Sequence, residues 1–244
     1  MKTALITGAD RGLGLALVRE YLNLGYTVFA GRFLADFHLL DDLKKEWPDT
    51  LHPVQLDVES RASILAAAQE VAAITDHLDV FVSDAAYMGG PENSRVKGEM
   101  PIDESLLEKA VAVNALGALQ CVEILLPLLR KGEEKRLCIV SSEVSSVTLM
   151  QRDGDFRYCM SKSALNVAVR MLQNTLASEG FTFRLYQPGW MRRQQPDGSF
   201  TQWNDCQINA ADSAKAAIPI FTSRHPDDAY KLELVDYLGS VWPF

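Results

Sequence analysis

Thr3-Ala4-Leu5-Ile6-Thr7-Gly8-Ala9-Asp10-Arg11-Gly12-Leu13-Gly14 decides the architecture of this chain. The apolar run Thr3–Thr7 reads as a buried strand. Gly12–Leu24 then carries Leu13, Leu17, Leu22 and Leu24 at helical spacing, so a helix follows. Between them lies a turn with three glycines. Glycine lets the main chain turn tightly and approach a ligand closely, and a helix N-terminus presents unpaired N–H groups to an anion. A glycine-rich turn without a ligand is the alternative, and three glycines alone do not exclude it. Their place, after the first strand and before an amphipathic helix, speaks for an anion cradle.

The pattern continues outward from this unit. Strands are expected at Tyr26–Gly31, Leu51–Asp57, Asp79–Ser83, Arg136–Ser141, Phe181–Gln187 and Lys231–Val235. Helices are expected at Asp36–Glu46, Ala62–Ile74, Asp103–Leu129 (bent at Pro127), Phe156–Ser178 and Ala210–Phe221. Strands alternating with helices predict an α/β fold, a Rossmann-type doubly wound parallel sheet of about seven strands with helices on both faces. No Pro/Gly/Ser linker divides the sequence, so residues 1–244 read as one dinucleotide-binding and catalytic domain.

Composition narrows the function. Lys and Arg total 24 against 32 Asp and Glu, a net charge of −8. That balance argues against nucleic acid as the partner, while leaving room for a small basic pocket. Cys121, Cys138, Cys159 and Cys206 show no zinc spacing, so no metal is expected, and four reduced thiols fit a cytoplasmic protein. The apolar start ends at Thr7-Gly8, too short for a secretory leader, and no run has the length of a membrane span.

In such sheets a dinucleotide pyrophosphate sits on the first glycine turn, here Gly8, Asp10, Arg11, Gly12, Leu13 and Gly14. An NAD site carries an acid at the end of the second strand. Here the strand ends Phe29-Ala30-Gly31-Arg32, and Arg32 with Arg11 suits a 2′-phosphate. NADP(H) is therefore favoured over NAD(H); two solvated surface arginines are the alternative.

Four further residues belong together: Asn114, Ser142, Tyr158 and Lys162. Tyr158 and Lys162 stand four apart on a predicted helix and share a face. A phenol with a pKa of about 10 needs help to act near neutrality, and an adjacent ammonium favours the phenolate. Ser142 follows the fifth strand, where a hydroxyl can polarise a substrate carbonyl. Asn114 sits mid-helix, and ordering a water for proton relay is one reason for a buried Asn there.

In this order, these residues resemble the Asn-Ser-Tyr-Lys tetrad of the short-chain dehydrogenase/reductase family. The glycine spacing T-G-x3-G-x-G resembles its compact branch. Tyr158–Asn166, Gln187-Pro188-Gly189-Trp190 and Asp236–Trp242 look like the C-factor-like carbonyl reductases. The resemblance covers nearly the whole chain. It implies hydride transfer between NADP(H) and a small carbonyl or alcohol, with Tyr158 exchanging the proton and Lys162 resupplying it. It also implies a cytoplasmic homodimer or homotetramer built through the two long helices. By the same resemblance, Asp57 and Val58 after the third strand, Ala85, and Pro188, Gly189 and Met191 after the sixth would contact the cofactor with Tyr158 and Lys162. For Asp57, an ordinary strand-end or helix-start acid is the alternative.

The chain also departs from the family. Asn-Asn-Ala-Gly is replaced by Ser83-Asp84-Ala85-Ala86, Met191–Gln194 lacks the usual Thr, and Ser145 replaces a Gly. These changes favour a second reading, a nucleotide-binding regulator that kept the fold and lost turnover. Sugar-nucleotide epimerisation is disfavoured by the glycine spacing and compact length. The segment Pro188–Ile208 is expected to cover the site with Trp190, Phe200 and Trp203, as an apolar substrate wall or as anchors to the core. Arg152, Arg157, Arg192 and Arg193 suit an anionic substrate or ordinary surface ion pairs.

Overall fold

A computed structural model describes residues 1–89, 103–192, 194–195, 199–200, 208–224 and 227–244. Its elements run β1 (Thr3–Ile6), α1 (Gly12–Asn23), β2 (Thr27–Arg32), α2 (Leu39–Glu46), β3 (Leu51–Gln55) and α3 (Arg61–Ile74). Then come β4 (Val80–Ser83), α4 (Glu104–Val111), α5 (Gly117–Leu129), β5 (Arg136–Val140) and α6 (Phe156–Leu176). The chain closes with β6 (Thr182–Gln187), α7 (Ala210–Thr222), β7 (Leu234–Asp236) and β8 (Val241–Trp242).

Among the described residues the sheet has eight strands, in the order β3-β2-β1-β4-β5-β6-β7-β8. All pairings are parallel except β7 with β8. The strand order reverses between β1 and β4, so the ligand crevice of such a sheet opens at their carboxyl ends.

The sheet separates two cores, and alternate side chains of one strand feed each. Leu5, Phe81, Leu137 and Ile139 join the core under α3, α5 and α6. Ala4, Ile6, Val82, Cys138 and Val140 join the core that holds Leu17, Tyr21, Ala217 and Phe221 of α1 and α7. Strands buried on both faces read as continuous apolar runs, and this is why they were visible in the sequence.

Three expectations need correction. The eighth strand was not expected: Asp236 builds it by accepting hydrogen bonds from Leu238 N (2.9 Å), Ser240 N (2.7 Å) and Trp242 Nε1 (3.0 Å), which close a hairpin. The long helix carries an unexpected π-helical turn, Ala112–Leu116, ahead of α5, in which Pro127 lies. Finally, Glu104–Leu129 forms one helical run of 26 residues, long and apolar enough by composition to cross a membrane. Ala118, Cys121, Val122, Leu125 and Leu129 spend that apolar character on the protein core.

Candidate active site

The glycine turn is held at the strand reversal. Thr7 Oγ1 accepts from both Asp84 N and Ala85 N, each at 3.1 Å, and so ties the end of β1 to the end of β4. Gly8 has φ +65°, and a Cβ there would come 2.8 Å from Ala85 Cα. Gly14 packs so tightly that a Cβ would run into the Gly8 carbonyl. Asp10 is buried and accepts from Phe33 N (2.7 Å) and Leu34 N (3.3 Å), fixing the turn to the end of β2. Burial raises its carboxyl pKa against the pull of those N–H groups and of Arg11.

Two N–H groups of the first turn of α1 already have partners. Gly12 N donates to Gln194 Oε1 at 3.0 Å. The Asp84 carboxylate accepts from Gly14 N. Nearby, the Arg11 guanidinium lies 4.6 Å from the Phe37 ring centroid, and Arg32 Nη1 bonds Asp41 Oδ1 at 2.8 Å. Arg32 is thus paired with Asp41 and partly exposed.

The other candidate cofactor residues sit on the same edge of the sheet. Asp57 caps its own turn, accepting from Glu59 N at 2.9 Å, while its N–H donates to Ser63 Oγ. Val58 is buried against Gly117, where a Cβ would lie 2.7 Å from Val58 O. After β6, Pro188 O accepts from Ser213 Oγ (2.7 Å) and Gly189 N donates to Gln187 Oε1 (3.1 Å). Met191, in the stretch where the family carries Thr, packs its side chain against the core shared with α1 and α7.

Ser142 follows β5 and caps the 3-10 turn Glu143–Ser145. A hydroxyl and amide network braces it from behind. Ser141 Oγ donates to Asn166 Oδ1 (2.7 Å), Asn166 Nδ2 to Ser145 Oγ (2.8 Å), and Ser145 Oγ to Ser142 O (2.6 Å). The hydroxyl that Ser145 adds over glycine is therefore used. Ser142 Oγ donates to Glu143 Oε2 at 2.8 Å and hydrogen-bonds the Tyr158 phenol. Glu143 also accepts from Arg152 Nη2 at 2.8 Å. Burial pushes the Glu143 carboxyl up, but the Ser142 and Arg152 hydrogen bonds outweigh it and the net shift is downward.

Tyr158 and Lys162 share one face of α6, as their spacing requires. Lys162 is buried, donates to Val140 O at 3.0 Å, and holds Nζ 5.8 Å from the Tyr158 ring centroid. Burial lowers its pKa to about 8, with the Asp84 charge opposing that fall. The expected lowering of the phenol by Lys162 does not arise here. Burial dominates and raises the Tyr158 pKa, Ser142 and Arg152 pull against that rise, and the Glu143 and Asp155 charges add to it. The resting phenol is therefore a proton donor.

Asn114 lies in the π turn and is buried. Its Oδ1 accepts from Tyr87 N (2.6 Å), and Nδ2 donates to Tyr87 O (2.9 Å) and Ser161 Oγ (2.8 Å). Both amide hydrogens are committed to protein, so the side chain brackets the segment after β4 rather than presenting donors to a water. π turns recur at functional sites, where they re-aim one residue of a helix.

Of the covering segment, Gln194 and Phe200 form an antiparallel bridge, and Trp190 O accepts from Ile208 N at 3.4 Å. Trp203 and Arg193 lie outside the described residues. Arg152 pairs with Glu143, Arg157 Nε lies 3.6 Å from Asp155, and Arg192 is exposed. Sequence reasoning missed Glu143 and Gln194. Glu143 had a signal, a carboxylate directly after the Ser141-Ser142 pair. Gln194 had none, since its partner lies 182 residues away.

A parallel sheet with a glycine turn at its strand reversal, and a Ser-Tyr-Lys group beside that turn, defines a nucleotide-dependent oxidoreductase scaffold. A sequence model of the short chain dehydrogenase family matches residues 2–203, and the chain belongs to that family. An uncharacterized oxidoreductase of Schizosaccharomyces pombe is 33% identical over 190 residues, covering 77% of this chain and 73% of that one. The carbonyl reductase Sniffer of D. melanogaster superposes with a TM-score of 0.84 at 21% identity, over 100% of both chains. A short-chain dehydrogenase/reductase of Burkholderia multivorans with bound NADP gives 0.82 at 24% identity, over 100% of this chain and 99% of that one.

Proposed function

We propose that this chain is an NADP(H)-dependent carbonyl reductase in which Tyr158 exchanges the proton with substrate. One observation carries the reading: the half-buried Tyr158 phenol, hydrogen-bonded to Ser142 and held protonated, stands beside the buried Lys162 at the end of β5. The Gly8–Gly14 turn fits a nucleotide, because a Cβ at Gly12 would meet nothing within 4 Å, while Gly8 and Gly14 let the turn pack closely on the end of β4. Gly8, Asp10, Arg11, Gly12, Leu13 and Gly14 would hold the pyrophosphate. Arg11 and Arg32 would meet a 2′-phosphate; Asp57, Val58 and Ala85 would line the adenosine side, and Tyr158, Lys162, Pro188, Gly189 and Met191 the nicotinamide side. When bound, the cofactor supplies the hydride.

The chain's own residues do the rest. Tyr158 Oη donates to the substrate carbonyl oxygen and delivers its proton as the alcohol forms. Ser142 steadies the same oxygen, and to donate to it must release Glu143. Lys162 returns a proton toward Tyr158, and its pKa of about 8 suits that exchange.

Calorimetric titration with NADPH and with NADH, followed by NADPH oxidation over a panel of small carbonyls, tests the reading. Micromolar NADPH binding, weaker NADH binding and turnover are expected. The competing reading, a regulator without turnover, draws on Gln194 and Asp84 at the α1 N-terminus. Binding without turnover of any carbonyl would favour it.

We also propose a homodimer or homotetramer formed through the long helices. Met160, Val167 and Met171 of α6 and Leu116 beside α5 are exposed apolar side chains. Sedimentation velocity is expected to give a dimer or tetramer at micromolar concentration, and a Val167→Glu variant the monomer. A monomeric wild type would remove this proposal.

A further inference from the structure

Asp84 stands where the family carries an amide, and its setting shows what the charge does. Thr7 Oγ1 holds its main-chain N and that of Ala85, so the residue is locked at the end of β4. From there its carboxylate reaches the first turn of α1. A Cβ on Gly14 would come 2.9 Å from Asp84 Oδ2, and the Gly14 N–H donates to that carboxylate. The chain has thus placed its own negative group where a helix N-terminus would receive an anion.

We propose that Asp84 is a proton-linked determinant of cofactor affinity: an anionic pyrophosphate binds beside it when its carboxyl is protonated, and is resisted when it is ionised. This rests on the nicotinamide-nucleotide reading above. Other charged groups face the carboxyl: Lys162 from α6, and Arg11 and Asp10 from the glycine turn. Burial raises the carboxyl to about 7, Lys162, the Gly14 N–H and Arg11 pull against that rise, and Asp10 adds to it. The carboxyl therefore changes charge near neutral pH.

The sign follows from linkage. A bound anion raises the proton affinity of Asp84, so binding takes up a proton. Affinity is then full below pH 7 and falls as pH rises through it. Lys162, with a pKa of about 8, also loses charge as pH rises, and this weakens anion binding in any variant. The ratio of wild-type to variant affinity isolates Asp84 from that background and from the titration of the 2′-phosphate.

The experiment is calorimetric Kd measurement for NADP at pH 6, 7, 8 and 9, on wild type, Asp84→Asn and Asp84→Ala. Asn keeps an oxygen that accepts from Gly14 N–H; Ala removes it, so the two separate charge from capping. The ratio of wild-type Kd to variant Kd is expected near one at pH 6, rising to about tenfold at pH 9 for both variants. A ratio that stays constant with pH overturns the proposal while leaving the cofactor reading intact. Absence of NADP binding by all three chains at pH 6 overturns the cofactor reading, and the proposal with it.

Discussion

Tyr158→Phe is expected to lower kcat for carbonyl reduction by about a thousandfold, with Kd for NADPH changed by less than about threefold. Phe keeps the ring and its packing on α6 and loses only Oη. That oxygen is the protonated group next to Ser142, and burial with the Glu143 and Asp155 charges keeps it protonated through neutral pH. Ser142 cannot replace it as donor without cost, because its own proton is given to Glu143 at 2.8 Å. Lys162 stays anchored on Val140 O, so its proposed role in holding the cofactor would survive the change. Steady-state kinetics beside calorimetry separates the two effects. Retained turnover in the variant would falsify the assignment of Tyr158.

Gly14→Ala is expected to cost about 3 kcal/mol or more of folding stability and to abolish measurable cofactor binding. Its Cβ would meet the Gly8 carbonyl oxygen, with Gly8 C at 2.8 Å and Asp84 Oδ2 at 2.9 Å. The first two are main-chain atoms of the turn that would hold the pyrophosphate, so relief means moving the cradle itself. Gly12→Ala is the contrast. A Cβ at Gly12 has nothing within 4 Å, and the cost is the left-handed backbone at φ +58°, about 1 kcal/mol. Urea unfolding of the two variants should place Gly14→Ala well below Gly12→Ala in midpoint. Equal midpoints would mean that the turn yields at Gly14 and that the glycine spacing is not set by close packing.

Much of this architecture was legible because parallel strands buried on both faces write themselves as short apolar runs. Thr3–Ile6 and Arg136–Val140 are buried at every position. β8 escaped because two residues carry no period, and what makes it a strand is the Asp236 carboxylate gathering three N–H groups. The π turn escaped for a related reason. An Asn in an apolar stretch shows in sequence, but the register change that lets it bracket Tyr87 is a tertiary event.

The site divides in the same way. Ser142, Tyr158 and Lys162 could be found because one strand end and one helical spacing fix them. Glu143 owes its setting to Arg152 and to Gln187, at 3.4 Å, which come from separate segments. The Asp84 substitution was visible as a loss of amides; its reach to Gly14 was not, because β4 and α1 meet only in the folded sheet. Local pattern reveals what local geometry dictates, and long-range charge placement lies beyond it.

The two borders of the sheet bear on how copies of this chain behave when crowded. An open strand border is a template on which another chain can lay a strand. At one border, β3 carries Pro53, which has no N–H to offer a newcomer. At the other, the hairpin folded on Asp236 covers β7 with a strand only two residues long. Each border is thus blunted by a different device, one chemical and one geometric, against the addition of a strand from another copy.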